Sequence, residues 1–67
     1  MDISYKKLWI LLIERKMTKS ELRKKAGLSP GVFTRINKNE AVSLSALQSI
    51  CEILNCDIGD VISFIRD

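Results

Sequence analysis

The chain has no histidine, one proline, three glycines and two cysteines among its 67 residues. Without histidine it lacks the side chain that most often serves as a general acid–base near neutral pH and as a metal ligand. Cys51 and Cys56 are five residues apart rather than in a C-x-x-C pair, and too few other ligands are present to complete a zinc site. On one helix they would point in different directions, so no disulfide is expected between them. Both read as small structural hydrophobes. No metal and no cofactor are expected. The scarcity of glycine and proline disfavours strands joined by tight turns. The longest apolar run is Leu8–Ile13, far short of a membrane span, so no membrane partner is expected. The opening "MDISYKK" lacks the order of a secretory signal, so the expected location is the cytoplasm. There are no paired carboxylates beside a nucleophile and no glycine-rich phosphate loop, so no catalytic constellation can be assembled and no enzyme activity is expected.

What is present is a globular composition, 46% hydrophobic and 28% charged, in a chain long enough for one domain spanning residues 1–67. A domain this short buries only about 60% of the surface its unfolded chain exposes, so its stability is expected to be a few kcal/mol or to be helped by a partner. The net charge of +3 hides a gradient. Residues 1–38 carry ten Lys and Arg against three Asp and Glu, a net +7, and residues 39–67 carry one against five, a net −4. That asymmetry points to a polyanion on one side, although a solvated surface of mixed sign accounts for it equally well.

Apolar periodicity predicts helices throughout. Over roughly residues 4–16, Tyr5, Leu8, Trp9, Leu12 and Ile13 make a helical stripe, with Asp2 or Ser4 as N-cap and Ile10 and Leu11 off the stripe. Thr18-Lys-Ser-Glu21 is a capping box that opens a second helix, and Gly27 supplies the left-handed residue that closes it. Ser29-Pro30 opens a third, by cap and first-turn proline, with Phe33 and Ile36 inward. After the loop "NKNEAV", Ser43 caps a fourth helix whose inner face is Leu44, Leu47, Ile50, Cys51 and Leu54, and Asn55 ends it. Asp57, with Asp60, caps a short fifth helix leading to the apolar cluster Val61, Ile62, Phe64 and Ile65. The expected fold is an all-α, compact five-helix domain.

A helix, a glycine turn and a second helix form the sequence shape of a helix-turn-helix, at helices two and three. In such a unit the second helix, here about residues 29–37, enters the major groove of double-stranded DNA while the first braces across the backbone. The groove is about 12 Å wide, room for one helix. Gly31, Thr34, Arg35 and Lys38 form a polar and basic stripe at i, i+3, i+4 and i+7, which suits that position. Lys24 and Lys25 have a simpler reading as solubilising charges. Trp9 shares the apolar stripe of its helix and reads as a core or interface residue.

The order and spacing of "MTKSELRKKAGLS", "VSL" and "ICEILNCDIGDVI" resemble the lambda-repressor-like helix-turn-helix family (Cro, phage-repressor or XRE type), in particular small bacterial single-domain members. The resemblance runs from about Tyr5 to Ile65. It implies a DNA-binding transcriptional regulator, most often a repressor. It also implies that Thr18 and Lys19 sit against phosphates, that Ser29, Pro30 and Gly31 meet the groove, that Thr34 and Arg35 face base edges, and that Asn37, Lys38 and Asn39 follow the backbone. Pro30 and Gly31 stand where many members carry polar readers, and Arg23 where many have a small residue. Direct readout would therefore rest on Arg35, Thr34 and Lys19, with DNA shape contributing the rest.

Spare apolar residues at Ile10, Ile53, Phe64 and Ile65 point to an interface, which a homodimer on two DNA half-sites would use. The alternative is a protein partner. In that case the fold serves as an interaction module such as an antitoxin or antirepressor, since fold alone does not fix function.

Overall fold

The computed structural model describes residues 2–66. Strand β1 (Asp2–Ser4) precedes four α-helices: α1 (Lys6–Glu14), α2 (Lys19–Ala26), α3 (Pro30–Asn37) and α4 (Leu44–Leu54). A single 3₁₀ turn (Ile58–Asp60) and strand β2 (Ser63–Ile65) follow. The strands pair antiparallel, Asp2 opposite Ile65, Ile3 opposite Phe64 and Ser4 opposite Ser63. The fold is therefore four α-helices with a small two-stranded sheet, not five helices. Asp57 and Asp60 do form the expected reciprocal cap, but the helix it starts lasts only one turn. Beyond it, Phe64 and Ile65 take up extended backbone, as aromatic and β-branched residues prefer, and pair with the chain's other end.

The helices begin where side-chain caps were legible. Thr18 accepts from the N–H of Glu21 at 3.1 Å while Glu21 Oε1 accepts from the N–H of Thr18 at 3.2 Å. Ser29 and Ser43 accept from Val32 and Ala46. The first helix is the exception. Neither Asp2 nor Ser4 is its N-cap; Tyr5 holds that position without a side-chain cap bond, and the helix is two residues shorter at each end than the pattern suggests. Asp2 and Ser4 belong to the strand instead.

All four helices end alike, on a residue with positive φ: Lys16 (55°), Gly27 (66°), Asn39 (59°) and Asn55 (51°). In each, the next N–H reaches back to a carbonyl of the last turn: Met17 to Leu12, Leu28 to Arg23, Glu40 to Arg35 and Cys56 to Cys51. This is the Schellman arrangement, which satisfies carbonyls that the ending helix leaves free. Glycine enters the left-handed region without steric cost and asparagine at a reduced one, so Gly27 and Asn55 were legible. Lys16 carries no such signal.

The core joins Tyr5, Leu8 and Leu12 of α1 with Leu22, Leu28, Ile36, Leu47, Ile50, Leu54 and Val61. Val42 packs against it, as do Trp9, Phe33, Cys51 and Cys56, all half-buried. Two expected core residues lie outside. Ile13 is 77% exposed because it lies about 100° around the helix from Leu12. Leu44 is 74% exposed at the first position of α4, on the rim of a hollow it shares with Leu47, Cys51 and Ile58.

Candidate nucleic-acid interface

Gly27 sets the angle between α2 and α3. The capping box fixes where α2 starts, and the left-handed turn at Gly27 stops it and drops Leu28 into the core. Two residues later Ser29 and Pro30 start α3. Both helices are thus held at their N-termini by caps and at the turn by a buried leucine.

On α3, Ile36 is fully buried while Gly31, Thr34, Arg35 and Lys38 are all exposed, so the polar stripe faces solvent. Its members are not equally available. Thr34 donates its hydroxyl to the Pro30 carbonyl at 2.8 Å, leaving its methyl group and an acceptor lone pair outward. Asn37 donates Nδ2 to the Phe33 carbonyl at 3.1 Å and accepts from Lys19 Nζ at 3.2 Å. Arg35 and Lys38 are exposed and, among the described residues, make no side-chain hydrogen bond. In the first turn Pro30 has no N–H, and Val32 and Phe33 donate to Ser29. Among the described residues the Gly31 N–H therefore remains for an outside acceptor. A Cβ built on Gly31 meets nothing within 4 Å, so the fold itself does not require glycine there.

At the start of α2, the Lys19 ammonium lies 4.1 Å from the centroid of the Trp9 ring. The same ring meets Phe33 edge to face, with centroids 6.4 Å apart. Trp9 is thus half core and half platform. Sequence periodicity placed it on the apolar stripe of its own helix and gave no sign of the cation above it.

Residues 7–67 match the family model of the Cro/C1-type helix-turn-helix DNA-binding domain. The chain belongs to that family. The HTH-type transcriptional regulator YozG of Bacillus subtilis (strain 168) is 32% identical over 60 residues, which span 87% of this chain and 71% of YozG. The crystal structure of the transcriptional regulator VanUg (Form II) has the same fold with a TM-score of 0.95. It is 52% identical, with 98% of this chain and 88% of that one aligned.

Not all the basic residues of this Cro/C1-type domain serve one face. Arg15 donates Nη1 to the Leu54 carbonyl at 2.7 Å, capping the C-terminus of α4. Lys7 donates to the Gly59 carbonyl at 3.1 Å. Arg23, Lys24 and Lys25 occupy the last turn of α2, where positive charge complements the helix dipole. Of the residues flanking α3, Asn39 ends the helix and accepts from the N–H of Tyr5 at 3.2 Å, so its side chain is already engaged. Ser29 is likewise engaged as a cap, and Thr18 in its capping box.

The expected interface residues are exposed: Ile10 by 47%, Ile53 by 37%, Phe64 by 67% and Ile65 by 49%. They come from three elements, α1, α4 and β2. Ile13 and Leu44, read from sequence as core, are more exposed than any of these.

Cys51 and Cys56 are free thiols. Burial, with lesser contributions from Cys56 and from Asp57 and Asp60, pushes the Cys51 thiol up to about 11, away from the reactive thiolate. Among the described residues no group of histidine, cysteine and carboxylates is placed to hold a metal, and no helix is long and apolar enough to cross a membrane.

Proposed function

We propose that the chain, as one helix-turn-helix domain over residues 1–67, is a small transcriptional regulator that binds specific sequences of double-stranded DNA. In this reading α3 lies in the major groove and α2 crosses the adjacent backbone. The observation that carries it is the solvent-facing stripe of Gly31, Thr34, Arg35 and Lys38 on a helix whose opposite side packs on the core through buried Ile36 and half-buried Val32 and Phe33.

Arg35 is the main base reader. Its free guanidinium suits a bidentate bond to guanine, worth about 1–3 kcal/mol of discrimination. Thr34 adds its methyl group, a fit for the thymine methyl, since its hydroxyl proton is spent within the helix. Gly31 lets the start of α3 approach closely and offers its N–H to a phosphate. Lys19 and Lys38 contact phosphates, Thr18, Ser29, Pro30 and Asn39 line the DNA beside them, and Asn37 does so while tying α3 to Lys19 of α2. The transcriptional regulators YozG and VanUg support the regulatory role. Repression is the expected mode, because occupying a site suffices to block it.

The protein acts as a homodimer through its exposed apolar residues, Ile10, Ile53, Phe64 and Ile65 among them. A two-fold dimer sets the half-sites about 34 Å apart or at a multiple of that. Fluorescence anisotropy on mixed-sequence duplexes across a salt series tests the reading. Affinity should fall steeply with salt as counterions are released, and selection from a random duplex pool should return a two-fold symmetric site. Negligible binding at low salt overturns the reading and favours a protein partner for the same exposed apolar residues.

A further inference from the structure

Four residues at the junction of α1, α2 and α3 form a closed circuit, three of its links between side chains and one through the Phe33 main-chain carbonyl. The Lys19 ammonium sits over Trp9 at 4.1 Å and donates to Asn37 Oδ1 at 3.2 Å. Asn37 donates Nδ2 to the Phe33 carbonyl at 3.1 Å. The Phe33 ring returns to Trp9 edge to face. We propose that Trp9 is a positioning residue for DNA-backbone binding, its indole face holding the Lys19 ammonium ready for a phosphate. The inference rests on the DNA-binding reading above.

The circuit holds the ammonium without neutralising it. A carboxylate in place of either partner would orient Lys19 equally well, but would cancel the charge that a phosphate needs. An aromatic face attracts a cation through its quadrupole and leaves the net charge at +1, and the Asn37 amide oxygen is also neutral. Lys19 is exposed, and its ammonium has three donors, of which Asn37 takes one. A free lysine loses rotamer freedom when it meets a phosphate. Here the restriction is imposed beforehand by the fold, which lowers the cost of binding. The circuit also ties the first residue of α2 to the last of α3, so the phosphate contact and the groove helix move together.

Trp9 is the chain's one tryptophan, so biosynthetic mono-, di- and trifluorotryptophan alter this ring and no other. Fluorine withdraws electron density from the ring face and weakens cation binding while leaving the shape of the ring nearly intact. Thermal midpoints taken in parallel should stay close together along the series. Affinity for a mixed-sequence duplex at low salt should fall stepwise with fluorination, by about two- to five-fold in all. In Lys19→Met the slope of log affinity against log salt should shrink by about 0.9, and fluorination should then have no effect. A flat series in the unmodified background overturns the proposal. The same stepwise fall in Lys19→Met also overturns it, because Trp9 would then act through packing on Phe33. Absence of salt-dependent binding by the unfluorinated protein overturns the DNA reading itself, and the role of Trp9 with it; that arm separates the two failures.

Discussion

Asn39 holds Tyr5: its Oδ1 accepts the Tyr5 backbone N–H at 3.2 Å, joining the residue that ends α3 to the residue that starts α1. The Tyr5 hydroxyl completes the clasp by donating to the Glu40 carbonyl at 2.7 Å. Two roles of Asn39 can be separated by substitution. Asn39→Gly keeps the left-handed backbone and loses the hydrogen bond, an expected cost of about 1 kcal/mol. Asn39→Ala loses the same bond and keeps a Cβ in the left-handed region without the polar side chain that makes asparagine tolerant of it, so it should fall about 1 kcal/mol below Asn39→Gly. Urea midpoints of the two variants check the ordering. Equal midpoints would mean that the φ of 59° is not what makes Asn39 necessary.

Ile36 and Arg35 are adjacent and should behave oppositely. Ile36→Ala empties a fully buried position and should cost about 2–5 kcal/mol, enough to unfold much of so small a domain. Arg35→Ala should change stability by no more than about 0.5 kcal/mol, yet relax preference at one base position in a selected-site profile. An unchanged profile would remove Arg35 as a reader.

Gly31→Ala should stabilise the isolated protein by up to about 1 kcal/mol, because alanine is the better helix former and the new methyl meets nothing within 4 Å. The same methyl would stand between α3 and the groove floor and should weaken DNA binding. Opposite shifts in melting temperature and affinity are the expected result. A gain in both would show that no close approach occurs at Gly31.

Alkaline pH should destabilise the fold. Burial raises both the Cys51 thiol, to about 11, and the Tyr5 hydroxyl above its usual 10. A pKa raised on folding means that the folded state holds its proton at a pH where the unfolded chain has released it. The stabilisation is therefore complete below the unfolded values, about 8.5 for cysteine and about 10 for tyrosine, and is lost as pH rises through the folded ones. Urea midpoints should be level from neutrality to about pH 8.5 and fall above it. In Cys51→Ser the fall should begin only near pH 10, where Tyr5 takes over.

The helix starts at Thr18, Ser29 and Ser43 were legible because capping is local: a side-chain oxygen reaches an N–H three residues on, within a single turn. Gly27 and Asn55 were legible because few residues tolerate a left-handed backbone. Ile13 and Leu44 were misplaced because periodicity finds an apolar stripe but not its edges, which depend on which neighbour lies against it. The β1–β2 sheet was missed for a stronger reason. Each strand has three residues, and each finds its partner some sixty positions away. Nothing in "DIS" or "SFI" specifies the other.

The same division holds for the candidate interface. Exposure of Gly31, Thr34, Arg35 and Lys38 followed from helical spacing once Phe33 and Ile36 were turned inward. The uses of Arg15 and Lys7, which were counted toward the polyanion-facing charge, are decided by α4 and the 3₁₀ turn packing against the far side of α1. By itself, then, the sequence determined the four helices, the N-caps of α2, α3 and α4 and the outward face of α3, since each follows from contacts within a few residues. Tertiary structure alone decided the end-to-end strand pair, the clasp of Asn39 on Tyr5 and the seating of Lys19 on Trp9. Each of these joins side chains from different elements, and such distances are set only when the whole core closes.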